Sequence, residues 1–248
     1  MNNTDLYWRS PSKDIALAAD EIHVWRASLD VAPSTIQLLR PLLNSDELTR
    51  AQRFRFAKDG DRHIVGRGVL RMLLAGYIQQ PPEELLFDYN QYGKPALSHL
   101  PKGRSIEFNI SHSHDIALFA FTSIGPLGVD VEYMRKDIEY EQLAHQFFSV
   151  QENATLQSLP KTLWRQTFYN CWTRKEAYIK ARGEGLSIPL DQFDVSLKPE
   201  EPAALLSSRE SDVADWTMQA LAPGPDYAGA VAINSRVWQL RCWQWSPS

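Results

Sequence analysis

Residues 106–132 read IEFNISHSHDIALFAFTSIGPLGVDVE, and their pattern decides the fold. Three runs, Ile106 to Ile110, Ile116 to Thr122 and Leu127 to Glu132, are rich in aromatic and β-branched residues and are parted only by a short polar break and a Gly-Pro turn. Breaks this short predict adjacent antiparallel strands of a small sheet.

Working outward, Ile22 to Leu29 alternates through Ile22 and Val24 and predicts another half-buried strand. Ser45 to Phe56 predicts a short helix with Ser45 as N-cap and Asp46 and Glu47 in the first turn, where carboxylates suit the helix dipole. Arg62 to Gln79 carries apolar residues at helical spacing until Pro81-Pro82 stops it. Gly66 and Gly68 inside that helix each cost about 1 kcal/mol against Ala, so close packing or a ligand is expected there. Asn90 to Pro95 is turn chemistry.

Downstream the order repeats. Helical patterns at Gln142 to Leu159 and Leu163 to Ala181 precede strand candidates at Phe193 to Leu197, Trp216 to Ala220, Tyr227 to Ile233 and Trp238 to Cys242. Lys198 to Asp212 reads as an exposed loop. Two α+β lobes are expected, residues 1–123 and 124–248.

With 44% hydrophobic and 11% aromatic residues in 248, the chain has ample material for a globular core. Met1 to Asp20 has no continuous apolar stretch, so neither signal peptide nor membrane span is expected and the cytoplasm is the default location. Cys171 and Cys242 are too isolated for a disulfide framework or thiolate zinc site. A net charge of -4 argues against general nucleic-acid binding.

The charge is unevenly spread. Arg50, Arg53, Arg55, Lys58, Arg62, Arg67 and Arg71 face only Asp59 and Asp61, whereas Asp130, Glu132, Asp137, Glu139 and Glu141 face only Arg135 and Lys136. A multiply charged anion bridged by a cation suits such a pair of regions. Arg67 and Arg71 read as the solvated edge of their helix.

In Gly128-Val129-Asp130-Val131-Glu132, residues two apart on a strand set two carboxylates side by side, and a hard divalent ion with oxygen ligands relieves their repulsion. Taken alone, the pair reads rather as two surface acids at a solvated strand end. Glu176 and Lys180 are i,i+4 neighbours on a helix, one turn beyond Trp172; alone they read as an exposed ion pair worth about 0.3 to 0.5 kcal/mol. Ser111 and His112, at a strand end, offer donors suited to phosphate. The spacing His112-Ser113-His114-Asp115 does not fit a dinuclear hydrolase, and no G-x-S-x-G elbow or Walker loop occurs.

In order, Tyr92-Gly93-Lys94-Pro95, Phe108-Asn109-Ile110-Ser111-His112-Ser113, Gly128-Val129-Asp130-Val131-Glu132, Phe147-Phe148-Ser149, Trp172 to Lys180 and Gly183-Glu184-Gly185-Leu186-Ser187 resemble the surfactin-synthetase-type 4'-phosphopantetheinyl transferases over nearly the whole chain. The resemblance implies a monomer of two similar, pseudo-twofold α+β lobes, each a small antiparallel sheet packed with helices, with coenzyme A in the cleft between them. It implies Mg2+ held by Asp130, Glu132 and Glu176, Ser111 and His112 on the 3'-phosphate, Arg62 and Lys94 near the adenine nucleotide, Lys180 on the pyrophosphate and Arg50 and Arg53 at a basic entrance. Asp130 also counts among the residues at the coenzyme.

The reaction it implies moves phosphopantetheine onto a serine of an apo acyl or peptidyl carrier protein, with Glu176 as general base and Lys180 as the competing candidate. The stretch Ile138 to Phe148 resembles the carrier-docking segment, although Phe147 and Phe148 read better as core. The alternatives are a catalytically silent coenzyme A binder and a metal-dependent phosphohydrolase; no nucleic-acid or membrane partner is expected.

Overall fold

The structure, a computed structural model, describes residues 8–11, 15–101, 103–209 and 213–247. The reading of residues 1–20 therefore lies partly outside the described residues, as do residues 210–212 of the expected loop.

The first half runs β1 (Glu21–Ser28), α1 (Pro33–Leu39), α2 (Ser45–Gln52), α3 (Ala57–Ile78), β2 (Phe87–Tyr89), β3 (Pro95–Leu97), β4 (Glu107–Ser113), β5 (Ile116–Thr122) and β6 (Leu127–Tyr133). The second half runs α4 (Tyr140–Phe147), α5 (Val150–Gln157), α6 (Lys161–Arg182), β7 (Asp194–Val195), β8 (Leu205–Ser207), β9 (Trp216–Leu221), β10 (Tyr227–Asn234) and β11 (Gln239–Gln244).

Two sheets form the centre, one ordered β11-β1-β5-β4 and the other β6-β10-β9. Pairing is antiparallel except between β1 and β11, so the end of the chain returns to lie parallel beside the first strand. β6 thus leaves its sequence neighbours β4 and β5 for the second sheet.

Strand alternation explains the layering. Ile22, Val24, Leu118 and Ala120 meet Val129, Val131, Val231 and Ile233 in an apolar layer between the sheets. The opposite faces of β1 and β5, through Trp25, Ala27, Phe119 and Phe121, pack on α3 through Val65, Val69 and Leu70. On the second sheet Ala228, Ala230 and Ala232 lie in the core that holds α6. The result is helix, sheet, sheet, helix, with α3 and α6 each 22 residues long on the outside.

Small residues set how near α6 approaches. A Cβ on Gly128 would stand 2.0 Å from Ala177 O and 2.4 Å from Ala181 N, so only glycine fits there. Gly68 has a similar reason, since its Cβ would stand 2.7 Å from Leu39 Cβ.

Several expectations need correction. The N-cap of α2 is Asn44, not Ser45; Asn44 forms a capping box with Glu47. The helical stretch after residue 140 is two helices, because Phe148 turns extended after the first and Ser149 caps the next through a capping box with Glu152. Phe193 to Leu197 supplies only the two-residue β7, and the 198–212 loop contains β8. Ser111 and His112 lie inside β4 rather than at its end.

Arg67 and Arg71 are not a solvated edge: both are buried, and both grip Glu47, at 2.6 and 2.8 Å. Sequence periodicity missed this because the acid they pair with lies on another helix.

Candidate active site

The site grows from the seam where the two sheets meet. β4 and β6 are both edge strands, and an edge leaves backbone N–H groups unpaired. Here side chains of β4 accept them: Asn109 Oδ1 from Val129 N at 2.9 Å, Ser111 Oγ from Val131 N at 3.4 Å and Ser113 Oγ from Tyr133 N at 3.0 Å. The period of two places all three side chains on one face.

Both serines then donate their own hydrogen to an acid of β6, Ser111 Oγ to Asp130 Oδ1 at 2.8 Å and Ser113 Oγ to Glu132 Oε2 at 2.6 Å. Asn109 and Ser113 were absent from the expected site, although their spacing with Ser111 was the available signal.

From α6, Lys180 Nζ donates to Asp130 Oδ1 at 2.6 Å and to Ser111 Oγ at 2.9 Å. Asp130 is 2% exposed, and its Oδ2 is buried without a hydrogen-bond partner. One turn before Lys180, burial and then the negative charges of Asp130 and Glu132 push the Glu176 carboxyl up to about 7, against the opposing pull of Lys180. Burial and the charge of Asp130 raise Glu132 as well.

The three acids therefore share one field with a single ammonium. Among the described residues, however, no group of three or more His, Cys, Asp or Glu side chains is gathered so as to hold a metal ion.

Beside this cluster lies a cavity of ≈ 970 Å³. Of the residues expected near a nucleotide, Arg50, Arg62, Lys94, Ser111, His112 and Lys180 line it, whereas Arg53 is exposed outside its wall. Asp130, Glu132 and Glu176 are not in the wall either, and Ser111 and Lys180 stand between Asp130 and the cavity.

Arg62 is held by Asp30 through two bonds, at 2.9 and 3.2 Å, and Lys58 adds a third at 2.9 Å. Arg62 first, with Lys58, lowers Asp30 to about 2. The His112 pKa is lowered by desolvation and by Lys180, Arg62 and Arg50; its ring is exposed to the cavity, so the three cations are the firmer cause.

Lys94, although it lines the cavity, has its ammonium bonded to the carbonyls of Lys180 at 2.9 Å, Leu127 at 3.1 Å and Ala181 at 3.3 Å. His63 was not anticipated. It lines the cavity with a buried, unpartnered Nε2, and desolvation followed by Arg50 and Arg67 lowers it to about 4. A lone histidine in a helix gave no signal of this.

Phe148 is buried and Phe147 packs against the same core, as read from the sequence. Both cysteines are buried thiols.

The chain belongs to a known class, the 4'-phosphopantetheinyl transferase superfamily, and to its Sfp type. The superfamily profile matches residues 126–232, and a profile for the N-terminal part of a 4'-phosphopantetheinyl transferase matches residues 25–123.

Among curated relatives, the 4'-phosphopantetheinyl transferase HetI of Nostoc sp. is 37% identical over 96% of this chain and 98% of its own. The transferase psf-1 of Bacillus pumilus is 33% identical over 70% of this chain and 72% of its own. Sfp of Bacillus subtilis is 35% identical over 62% and 66%. A solved apo-ACPS structure from Chronobacterium ammoiniagenes covers 44% of this chain and 96% of its own at TM-score 0.33 and 20% identity.

Among the described residues no helix is long and apolar enough to cross a membrane. The silent-binder and phosphohydrolase alternatives find no support in these relatives.

Proposed function

We propose that this chain transfers the 4'-phosphopantetheine group of coenzyme A to a serine of an apo acyl or peptidyl carrier protein, releasing 3',5'-ADP. The observation that carries the reading is the Lys180–Asp130 ion pair with Glu132 and Glu176 in its field, set beside a cavity whose wall holds Arg50, Arg62 and His112. Anionic phosphates suit the basic wall, and the acids suit a cation at the reacting diphosphate.

The donor set fits a hard divalent ion. It is all oxygen, Asp130 Oδ2 is buried and unpaired, and the raised Glu132 and Glu176 are held up partly by repulsion that a divalent charge relieves. Asp130, Glu132 and Glu176 would hold it, with Mg2+ the ion implied by the family resemblance. When bound, the ion supplies charge neutralisation at the diphosphate.

The chain's own residues do the rest. Lys180, oriented by Asp130 and Ser111, offers its positive charge to the pyrophosphate. Arg50, Arg62 and His112 bind the nucleotide phosphates, with His112 on the 3'-phosphate. As the carrier serine Oγ bonds to the phosphorus bearing pantetheine, the P–O bond to the ADP moiety breaks and Glu176 accepts the serine proton. Lys180 is engaged as a donor to Asp130 and Ser111, which favours Glu176 as the base.

The chain acts as a cytoplasmic monomer whose lobes are residues 1–123 and 124–248. The division is supported by the gap between the two family profiles, which end and begin at residues 123 and 126; β11 returns from the second lobe to the first sheet. Intact mass spectrometry of several apo carrier proteins incubated with the chain, coenzyme A and Mg2+ tests the function. A gain of one phosphopantetheine is expected; no mass change on any carrier, with coenzyme A consumed or merely bound, rejects it.

A further inference from the structure

The last turn of α6 has carbonyls with no helical partner, as every helix end does. Gly183 in the left-handed region caps it from within, its N–H bonding Ile179 O and Lys180 O. Further bonds to Lys180 O, Ala181 O and the capping Gly183 O come from the other half of the chain. Lys94 Nζ bonds Lys180 O, Ala181 O and, on β6, Leu127 O, while Asn90 Nδ2 donates to Gly183 O at 2.7 Å.

Both side chains sit at the tip of the β2–β3 hairpin. That tip is stiffened by its own bonds: Asn90 Oδ1 accepts from Tyr92 N and Lys94 N, both at 2.9 Å, and Asn90 N bonds Lys94 O at 3.1 Å.

We infer that Lys94 is a positioning residue that fixes the end of α6, and with it Lys180 and Glu176, to the first lobe, and that its ammonium is not a ligand of the nucleotide. This rests on the transferase reading above. An ammonium has three hydrogens, and three carbonyls take them, leaving none for a phosphate. The C-terminus of a helix also carries partial negative charge, which a cation stabilises. Lys180 contributes one of the carbonyls itself, so the residue that faces Asp130 through its side chain is anchored to Lys94 through its backbone. Without Lys94 the backbone of the turn bearing Lys180 keeps only the Asn90 bond to Gly183 O and the side-chain bond of Lys180 to Ser111 as ties to the first lobe, and small displacements of catalytic groups lower turnover steeply.

The test uses the full chain as wild type, Lys94→Met and Lys94→Arg, with Mg2+, coenzyme A and an accepted apo carrier. Lys94→Met is expected to lower kcat by about tenfold or more while the coenzyme A dissociation constant, measured by calorimetry without carrier, stays within about threefold. Lys94→Arg, which still presents donors to carbonyls, recovers most of kcat. Hydrogen exchange over residues 179–183 quickens in Lys94→Met.

A coenzyme A affinity weakened by about tenfold or more, whatever kcat does, overturns the inference, as does unchanged kcat. If Lys94→Met does not fold, Asn90→Ala replaces it and must show the same split in weaker form; wild-type kcat there overturns the inference. If the wild type itself transfers nothing, the function reading fails separately, and exchange over 179–183 decides the clamp, with unchanged rates rejecting it.

Discussion

Ser111 holds Asp130 by a hydroxyl with no capacity to spare: Oγ donates to Asp130 Oδ1 at 2.8 Å and accepts from both Lys180 Nζ at 2.9 Å and Val131 N at 3.4 Å. One hydroxyl thus joins an edge strand, an acid and the ammonium of a distant helix. Ser113 repeats the arrangement with Tyr133 N and Glu132.

Removing either hydroxyl leaves a strand N–H without its acceptor and takes one donor from a carboxylate, Asp130 keeping Lys180 and Glu132 keeping Trp172. Ser111→Ala and Ser113→Ala should each lose about 1–3 kcal/mol in urea unfolding. Ser113→Ala should in addition raise the Mg2+ concentration needed for half-maximal transfer, through a freed Glu132; an unchanged requirement would separate Ser113 from the metal.

Glu176→Gln keeps the size of the side chain and removes the base. Transfer should fall by roughly 10²–10⁴-fold while coenzyme A still binds. Single-turnover mass spectrometry reads the rate, and wild-type turnover in the variant would return the role to Lys180.

Desolvation and the cations Lys180, Arg62 and Arg50 depress His112 in the free protein. A 3'-phosphate placed beside the ring reverses the shift, so binding of coenzyme A should take up a proton and weaken as pH rises through the bound-state pKa. Calorimetry in buffers of different ionisation enthalpy measures this. Dephospho-coenzyme A and the His112→Ala variant should each show a smaller uptake.

Lys175 and Glu152 form an ion pair at 2.8 Å with side-chain exposures of 0% and 1%. Lys175 also donates to Leu190 O at 2.6 Å, and Glu152 accepts from Val195 N at 2.8 Å, so the pair ties α5 and α6 to β7. Lys175→Met should destabilise the fold by about 3–5 kcal/mol in denaturant unfolding, because it strands a buried carboxylate. The double variant Lys175→Met/Glu152→Leu should recover part of that loss.

Asp30, lowered to about 2 by Arg62 and Lys58, has a folded pKa below its ordinary 3.8. Its contribution to stability is therefore present above about pH 4 and is lost as pH falls toward 2. Its side chain is 40% exposed, so solvent screening keeps the effect below about 1 kcal/mol. Asp30→Asn should flatten this part of the stability curve, and added salt should mimic it.

Much of this was legible before any coordinates. Period-two spacing put Asp130 and Glu132 on one face of β6, and i,i+4 spacing put Glu176 and Lys180 on one side of α6. Strand and helix positions through the centre of the chain followed from runs of β-branched and apolar residues. The breaks at Asn44 and Ser149 were harder, because a capping box depends on one side chain's choice of partner rather than on periodicity.

The sequence by itself determined which residues share a face, since that is fixed by the repeat of the backbone. Only the tertiary structure decided what each face meets: Arg67 and Arg71 turned inward to Glu47, Lys94 was taken up by the end of α6, and Ser111 and Ser113 became the link between two sheet edges. Those partners lie roughly 20 to 90 positions apart in the chain, and a polar side chain states only how many bonds it can make, leaving the packing to choose with whom.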